Sequence, residues 1–253
     1  MEKQKLDSWG RKINYKHTYN LNVFKTKNDL FYYLLGAFIT DGNVYFAKNK
    51  KGTQVSLTSK DVDWLAIINS IISSNNLLVK KKNNCSVLRM FSPEIGAILH
   101  KNGCIPNKSL IVKLPKIPKK YFKDFLRGCI DGDGSISLQE KRVVKPYKTY
   151  IYKVPTCYLG SASKKFIDDI SLNLNRLGFK HYIIKLQPKN RKLRDTIITS
   201  KRPIYRILFN GTDCYKFLTW IYCPDKIAMP RKFKIATEIF RYFENKKWGS
   251  IAV

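Results

Sequence analysis

The chain has 253 residues, 44% of them hydrophobic, enough to bury one large core or two small ones. Its 48 Lys and Arg against 18 Asp and Glu leave a formal charge of +30, which is tolerated when a polyanion neutralises it and makes nucleic acid the leading partner. No apolar run approaches the ~20 residues of a membrane-spanning helix, the first seven residues lack the apolar core of a signal peptide, and the dispersed cysteines and histidines support neither a zinc cluster nor a disulfide framework.

In chain order, residues 1–28 form a basic extension whose fold the sequence does not indicate, with a segment over 11–27 that can add phosphate contacts. Asn28 or Thr26 can then cap a helix over 29–41, with Gly42 as its stop. Strands are expected over 44–48 and 54–58. Trp64, Ile67, Ile68, Ile71 and Ile72 follow the helical period in a helix over 61–74. Strands over 77–81 and 86–91 and a helix over 93–101 complete a first unit, 29–110. The stretch 111–118, with Pro115 and Pro118, is the natural linker. A second unit, 119–253, repeats the order as far as about Cys223 and adds a final helix near 231–247.

The two units share sequence. Leu34-Leu35-Gly36-Ala37-Phe38-Ile39-Thr40-Asp41-Gly42 matches Leu126-Arg127-Gly128-Cys129-Ile130-Asp131-Gly132-Asp133-Gly134, an offset of 92 residues. Leu57-Thr58-Ser59-Lys60 and the apolar pattern from Trp64 to Leu77 match Leu159-Gly160-Ser161-Ala162 and the pattern from Phe166 to Phe179 at an offset of 102. More loosely, Pro106-Asn107-Lys108-Ser109 matches Pro230-Arg231-Lys232-Phe233 at 124, which places inserted residues over 185–203. Alone, Asp131 and Asp133 are equal candidates for chemistry. The first copy has Ile39 opposite Asp131 and keeps an acid, Asp41, opposite Asp133, so Asp133 is selected. A carboxylate at the negative end of a helix is disfavoured by about 0.3–1 kcal/mol, which asks for a reason outside the local fold.

Two helices ending in Gly-x-x-x-x-Asp-Gly, one per repeat, resemble the paired motif of single-chain LAGLIDADG homing endonucleases. The second motif keeps Leu126, Gly128, Ile130, Asp131, Asp133 and Gly134, while the first departs at Ile39. The resemblance implies an α+β fold of two pseudo-symmetric αββαββα subdomains, with saddle-shaped antiparallel sheets on DNA and the motif helices packed together. Gly36 and Gly128, which lack Cβ atoms, would permit that packing at the helix interface. The paired acids would hold divalent cations: two or three Mg²⁺ ions, with Mn²⁺ as a substitute, on Asp41, Asp133 and the carbonyls of Thr40 and Gly132. Lys108 matches the family's active-site lysine, and Lys232 is its counterpart. The implied reaction is metal-assisted hydrolysis of both strands, leaving short 3′ overhangs.

Alternation in the strands marks a polar sheet face suited to a major groove. On it lie Asn43, Tyr45, Asn49, Lys51, Gln54, Ser56 and Thr58 in the first unit, and Ser135, Ser137, Gln139 and Lys141 in the second. Arg89 and Arg206 belong to the fourth strands, and Arg191 and Arg194 to a basic insertion that follows the phosphate backbone. A long, asymmetric double-stranded DNA site bound by a monomer is the leading expectation. An intron maturase with host intron RNA as partner is the alternative, and a regulator that has lost cleavage is third. The lysine-, asparagine- and isoleucine-rich composition fits an intracellular protein of an AT-rich genome: organellar (mitochondrion or chloroplast), phage or bacterial.

Overall fold

A computed structural model describes residues 18–46, 52–73, 78–80, 84–106, 108–188, 190–193, 196–199 and 202–249. The first repeat runs α2 (Asp29–Thr40), β1 (Gly42–Phe46), β2 (Thr53–Ser59), α3 (Val62–Ile72), β3 (Val79–Lys80), β4 (Ser86–Phe91) and α4 (Pro93–Lys101), preceded by a short helix α1 (Asn22–Lys25). The second runs α5 (Phe122–Asp133), β5 (Gly134–Lys145), β6 (Lys148–Ser161), α6 (Lys164–Arg176), β7 (Tyr182–Leu186), β8 (Asn190–Leu193), β9 (Thr196–Thr199), β10 (Ile204–Asn210), α7 (Gly211–Ile221) and α8 (Pro230–Gly249). Each repeat is therefore αββαββα, with β8 and β9 as a separate hairpin between β7 and β10. None of the described helices is long and apolar enough to cross a membrane.

Both main sheets are four-stranded and antiparallel, ordered β1-β2-β4-β3 and β5-β6-β10-β7. The repeat reaches the level of register: Gly42 pairs with Leu57, and Gly134, 92 residues on, pairs with Leu159, 102 residues on. The extra ten residues of the second repeat lengthen the β5–β6 hairpin, whose strands pair continuously to Lys145 and Lys148. The inner face of the first sheet buries Val44, Val55, Leu57, Leu88 and Met90, and that of the second buries Ile136, Cys157, Leu159, Ile207 and Phe209. Helices cover these faces. Phe46, next after Val44 in the alternation of β1, is nevertheless exposed at the sheet margin against the His100 ring.

Local chemistry explains most boundaries. Asn28 caps α2 by accepting from the Phe31 amide at 3.0 Å, and Ser92 and Ser163 do the same for α4 and α6. Asp61, expected inside α3, stands before it and makes no capping bond; its carboxylate instead pairs with Arg231 of α8 at 2.6 Å. Gly42 does not stop α2 by a left-handed turn. The chain leaves the helix at Asp41, and a Cβ on Gly42 would lie 2.5 Å from the Phe38 carbonyl oxygen, as one on Gly134 would from that of Ile130. Tight reversal into the first strand is what both glycines allow. Within the expected N-terminal extension, residues 18–25 pack onto the first repeat: Ser73 donates to the Thr18 carbonyl, and Phe24 is buried near Phe38.

Candidate active site

α2 and α5 pack along their whole lengths at the centre of the molecule and are buried on nearly every face. A Cβ on Gly36 would lie 2.2 Å from the carbonyl oxygen of Phe125, and one on Gly128 2.0 Å from that of Tyr33. The backbones touch at two reciprocal points. A turn further on, Gly132 leaves room for Thr40, whose hydroxyl donates to Gly36 and Ala37 of its own helix.

This crossing brings the two helix ends together. Asp41 caps α2, Asp133 is the last residue of α5, and the two carboxyls stand within hydrogen-bonding reach of each other. Asp41 is half-buried and Asp133 more open to solvent. Burial, followed by the facing Asp133 charge, pushes the Asp41 carboxyl up to about 7 from an ordinary value of 3.8. Asp133 is also raised, first by burial, and Lys232 and Lys108 oppose both shifts. Two carboxylates that resist joint ionisation, with the Thr40 carbonyl adjoining, are a donor set suited to a hard divalent cation. Among the described residues no third His, Cys, Asp or Glu joins them, so such an ion would keep much of its water.

The sign of the pH effect follows. The unfolded Asp41 carboxyl ionises near 3.8 while the folded one holds its proton to about 7, so its contribution to stability is complete below 3.8 and is lost as pH rises through 7. In chelator, Asp41→Asn should therefore melt several degrees above wild type at pH 8 and keep only the smaller part of that advantage at pH 5; 1 kcal/mol corresponds to roughly 2–4 °C for a chain of this size. Saturating Ca²⁺ should raise the wild-type midpoint at pH 8 and leave the variant where it was. Equal differences at both pH values, by calorimetry, would remove the coupled pair from the argument.

Lys108 and Lys232 are buried, and neither is a free solvent-facing cation. Lys108, in a 3₁₀ turn after α4, donates to the Gly42 carbonyl. Lys232, in α8, donates to Ile130 and Asp131 at 2.7 Å, Gly134 at 2.8 Å and Gly132 at 3.2 Å. Both ammonium groups thus hold the carbonyl of the glycine that follows an acid, which makes their loose sequence match a structural equivalence. Lys232 also neutralises the carbonyls at the end of α5, and burial lowers its pKa. The Gly132 carbonyl, expected as a metal ligand, is therefore already an acceptor for Lys232.

Asp131 has a different setting from Asp133. It is fully buried and accepts from Tyr222 Oη at 2.6 Å, Tyr33 Oη at 2.7 Å and the Met229 amide at 2.8 Å, while Trp64 Nε1 donates to Tyr33 Oη at 2.7 Å. Burial raises its pKa and the tyrosine bonds pull it back. Beside it, Arg127 is also buried, bonded to Asp124 at 2.8 Å and to the carbonyls of Ile221 and Ile227. These residues join the two repeats through a satisfied polar core. Sequence reading missed this network; the available signal was polar residues inside the otherwise apolar α5.

On the outer sheet faces, Asn43 and Tyr45 are exposed, and Gln54, Ser56, Thr58, Ser135 and Ser137 are half-buried. Gln139 and Lys141 are exposed on the long hairpin. Arg89 pairs across from Ser56 whereas Arg206 pairs across from Gly160, so the two arginines are not equivalent; Arg206 lies over the Tyr158 ring at 4.2 Å. Arg191 falls on β8. Asn49, Lys51 and Arg194 lie outside the described residues. A cavity lined by Tyr32, residues 114–119, Phe122 and Arg176 borders the start of α5, ~18 Å along the helix from the acids.

Residues 123–218 match the model of the LAGLIDADG-like domain. The K262A mutant of I-SmaMI has a similar structure (TM-score 0.55, 14% identity, covering 87% of this chain and 92% of that one), as does I-SmaMI bound to uncleaved DNA target in the presence of calcium ions (0.52, 13%, 88% and 93%). A mesophilic variant of the homing endonuclease I-DmoI gives 0.51 at 18% identity, over 83% and 96%. These likenesses establish the fold, that of the single-chain LAGLIDADG homing endonucleases. A probable translation initiation factor IF-2 of Thermococcus kodakarensis is 35% identical over 75 residues, 28% of this chain. The match spans only 5% of that protein's length and carries nothing of its role.

Proposed function

From a LAGLIDADG-like domain in the second repeat and the two-motif LAGLIDADG fold of the chain, we propose that this protein is a site-specific DNA endonuclease that makes a double-strand break. The observation that carries the reading is the meeting of Asp41 and Asp133, equivalent residues of two repeats, at the points where both sheets begin. One chain supplies both acids and both sheets, so a monomer suffices. Structural neighbours solved with DNA, including I-SmaMI bound to cleaved DNA, support the choice of partner.

Asp41 and Asp133 would hold the divalent cation, Mg²⁺ with Mn²⁺ as a substitute, and the Thr40 carbonyl would add an oxygen. When bound, the ion supplies Lewis-acid stabilisation of the leaving 3′ oxygen and acidifies coordinated water. Lys232 and Lys108 hold the turns that aim the acids, and their ammonium charge favours an approaching phosphate. The outer sheet faces offer Asn43, Gln54 and Ser56 on one side and Ser135, Ser137 and Gln139 on the other for hydrogen bonds to base edges in a major groove. Because β5–β6 and the β8–β9 hairpin lengthen only the second repeat, the target is expected to be asymmetric, with short 3′ overhangs after cutting.

Incubation with a plasmid library of candidate sites in Mg²⁺ should yield linear products that share one sequence. Absence of cutting under every divalent metal, combined with tight binding of an intron RNA, would replace this reading with the maturase role.

A further inference from the structure

β6 pairs with β10 only over residues 156–161, and beyond that point 139–145 and 148–154 continue as a two-stranded ribbon. At ~3.3 Å per residue the ribbon projects ~23 Å, comparable to six or seven base pairs at about 3.4 Å each. A free ribbon of this kind is marginal in water, and one bearing apolar groups is a docking surface. Its outer face, continuous with Ser135 and Ser137, presents Val143 (37% exposed) across from Tyr150 (44%), with Tyr152 (42%) one pair further in. Cations surround this apolar strip: Lys141 stands across from Tyr152, and Lys145 and Lys148 each hold their ammonium 5.5 Å from the centre of the Tyr150 ring. Glu140, the sole acid of the ribbon, lies on the opposite face, across from Lys153.

We propose that Val143, Tyr150 and Tyr152 read thymine 5-methyl groups in the major groove of the half-site held by the second repeat. The inference rests on the DNA-endonuclease reading and names the bases its long hairpin selects. A two-stranded ribbon fits the ~12 Å major groove, where the thymine methyl is the principal apolar feature, and the flanking lysines are placed for the phosphates on either side. The first sheet differs, presenting Asn43 across from Ser56 and a single aromatic group, Tyr45, across from the Gln54 amide, with no apolar strip. RNA is the wrong partner for this face, because the A-form major groove is too narrow for a ribbon and uracil has no methyl.

The test is selection of random duplex DNA by the Asp41→Asn chain, followed by replacement of individual thymines with deoxyuridine. Selected sites should carry thymines at the outer positions of one half-site, and each methyl removed there should weaken binding about three- to fivefold. The exposed-face variant Val143→Ser/Tyr150→Ser/Tyr152→Ser should bind thymine and deoxyuridine duplexes equally. Selected sites without those thymines, equal binding of the two duplexes by the parent, or a thymine preference that survives in the triple variant would each overturn the proposal. If wild type still cleaves its selected site in such a case, the endonuclease reading stands alone; a chain that selects no sequence overturns both.

Discussion

Asp41→Asn and Asp133→Asn are each expected to bind the target DNA within about twofold of wild type and to lose double-strand cleavage by roughly a thousandfold or more, about 4 kcal/mol of barrier. The substitution keeps the shape of the side chain and removes half of the paired charge that would hold a divalent cation. Binding survives because the sheet faces and the surrounding cations are untouched, and phosphate contacts dominate affinity. Asp131→Asn provides the contrast. An amide there keeps one accepting oxygen but turns its NH2 toward at least one of the three donors aimed at this carboxylate, so stability should fall while any remaining folded protein keeps its cleavage. Gel-based cleavage and filter binding separate the outcomes, and undiminished linearisation by either active-site variant would end the assignment.

Gly128→Ala should damage the fold itself. Alanine improves helix propensity by about 1 kcal/mol, but its methyl would sit 2.0 Å from the Tyr33 carbonyl oxygen and 2.9 Å from the Ala37 amide nitrogen, both backbone atoms unable to rotate away. Relief requires α2 and α5 to separate. Overpacking into side chains typically costs 1–3 kcal/mol, and a backbone-to-backbone clash belongs at or beyond the upper end, so a net loss of ~3 kcal/mol or more is expected. Gly36→Ala, 2.2 Å from the Phe125 carbonyl oxygen, should behave alike. Gly52→Ala, with open space around it, is the neutral control. Separation of the helices also separates Asp41 from Asp133, so whatever Gly128→Ala enzyme folds should cleave slowly. A midpoint within a degree or two of wild type in urea or thermal melts would show that the contact is not tight.

The repeat, the element order and the two acids are legible in the sequence because each rests on local chemistry copied twice. Apolar residues recur at helical spacing, polar and apolar residues alternate in the strands, and the same glycines follow the same acids. The register itself is not read from the chain, but once the pair Gly42–Leu57 is seen the repeat carries it over to Gly134–Leu159. Less is recoverable where one residue type serves two purposes. Arg127 looks like the exposed residue of an amphipathic helix, yet it is buried against Asp124 and the carbonyls of Ile221 at the end of α7 and Ile227 beyond it. Arg89 and Arg206 look equivalent and stand at different register positions.

That two carboxylates end two matching helices can be read along the chain, because a repeated pattern of hydrophobicity and glycine needs no knowledge of what lies opposite. What surrounds each acid is set by the packing of distant segments. Asp131 and Asp133 are two residues apart on one helix, but the rotation between them turns Asp131 toward Tyr33, Tyr222 and Met229 and leaves Asp133 facing Asp41. Lys232 meets the end of α5 because a helix a hundred residues later packs there. Desolvation and charge repulsion depend on such long-range neighbours, and these raise Asp41 to about 7.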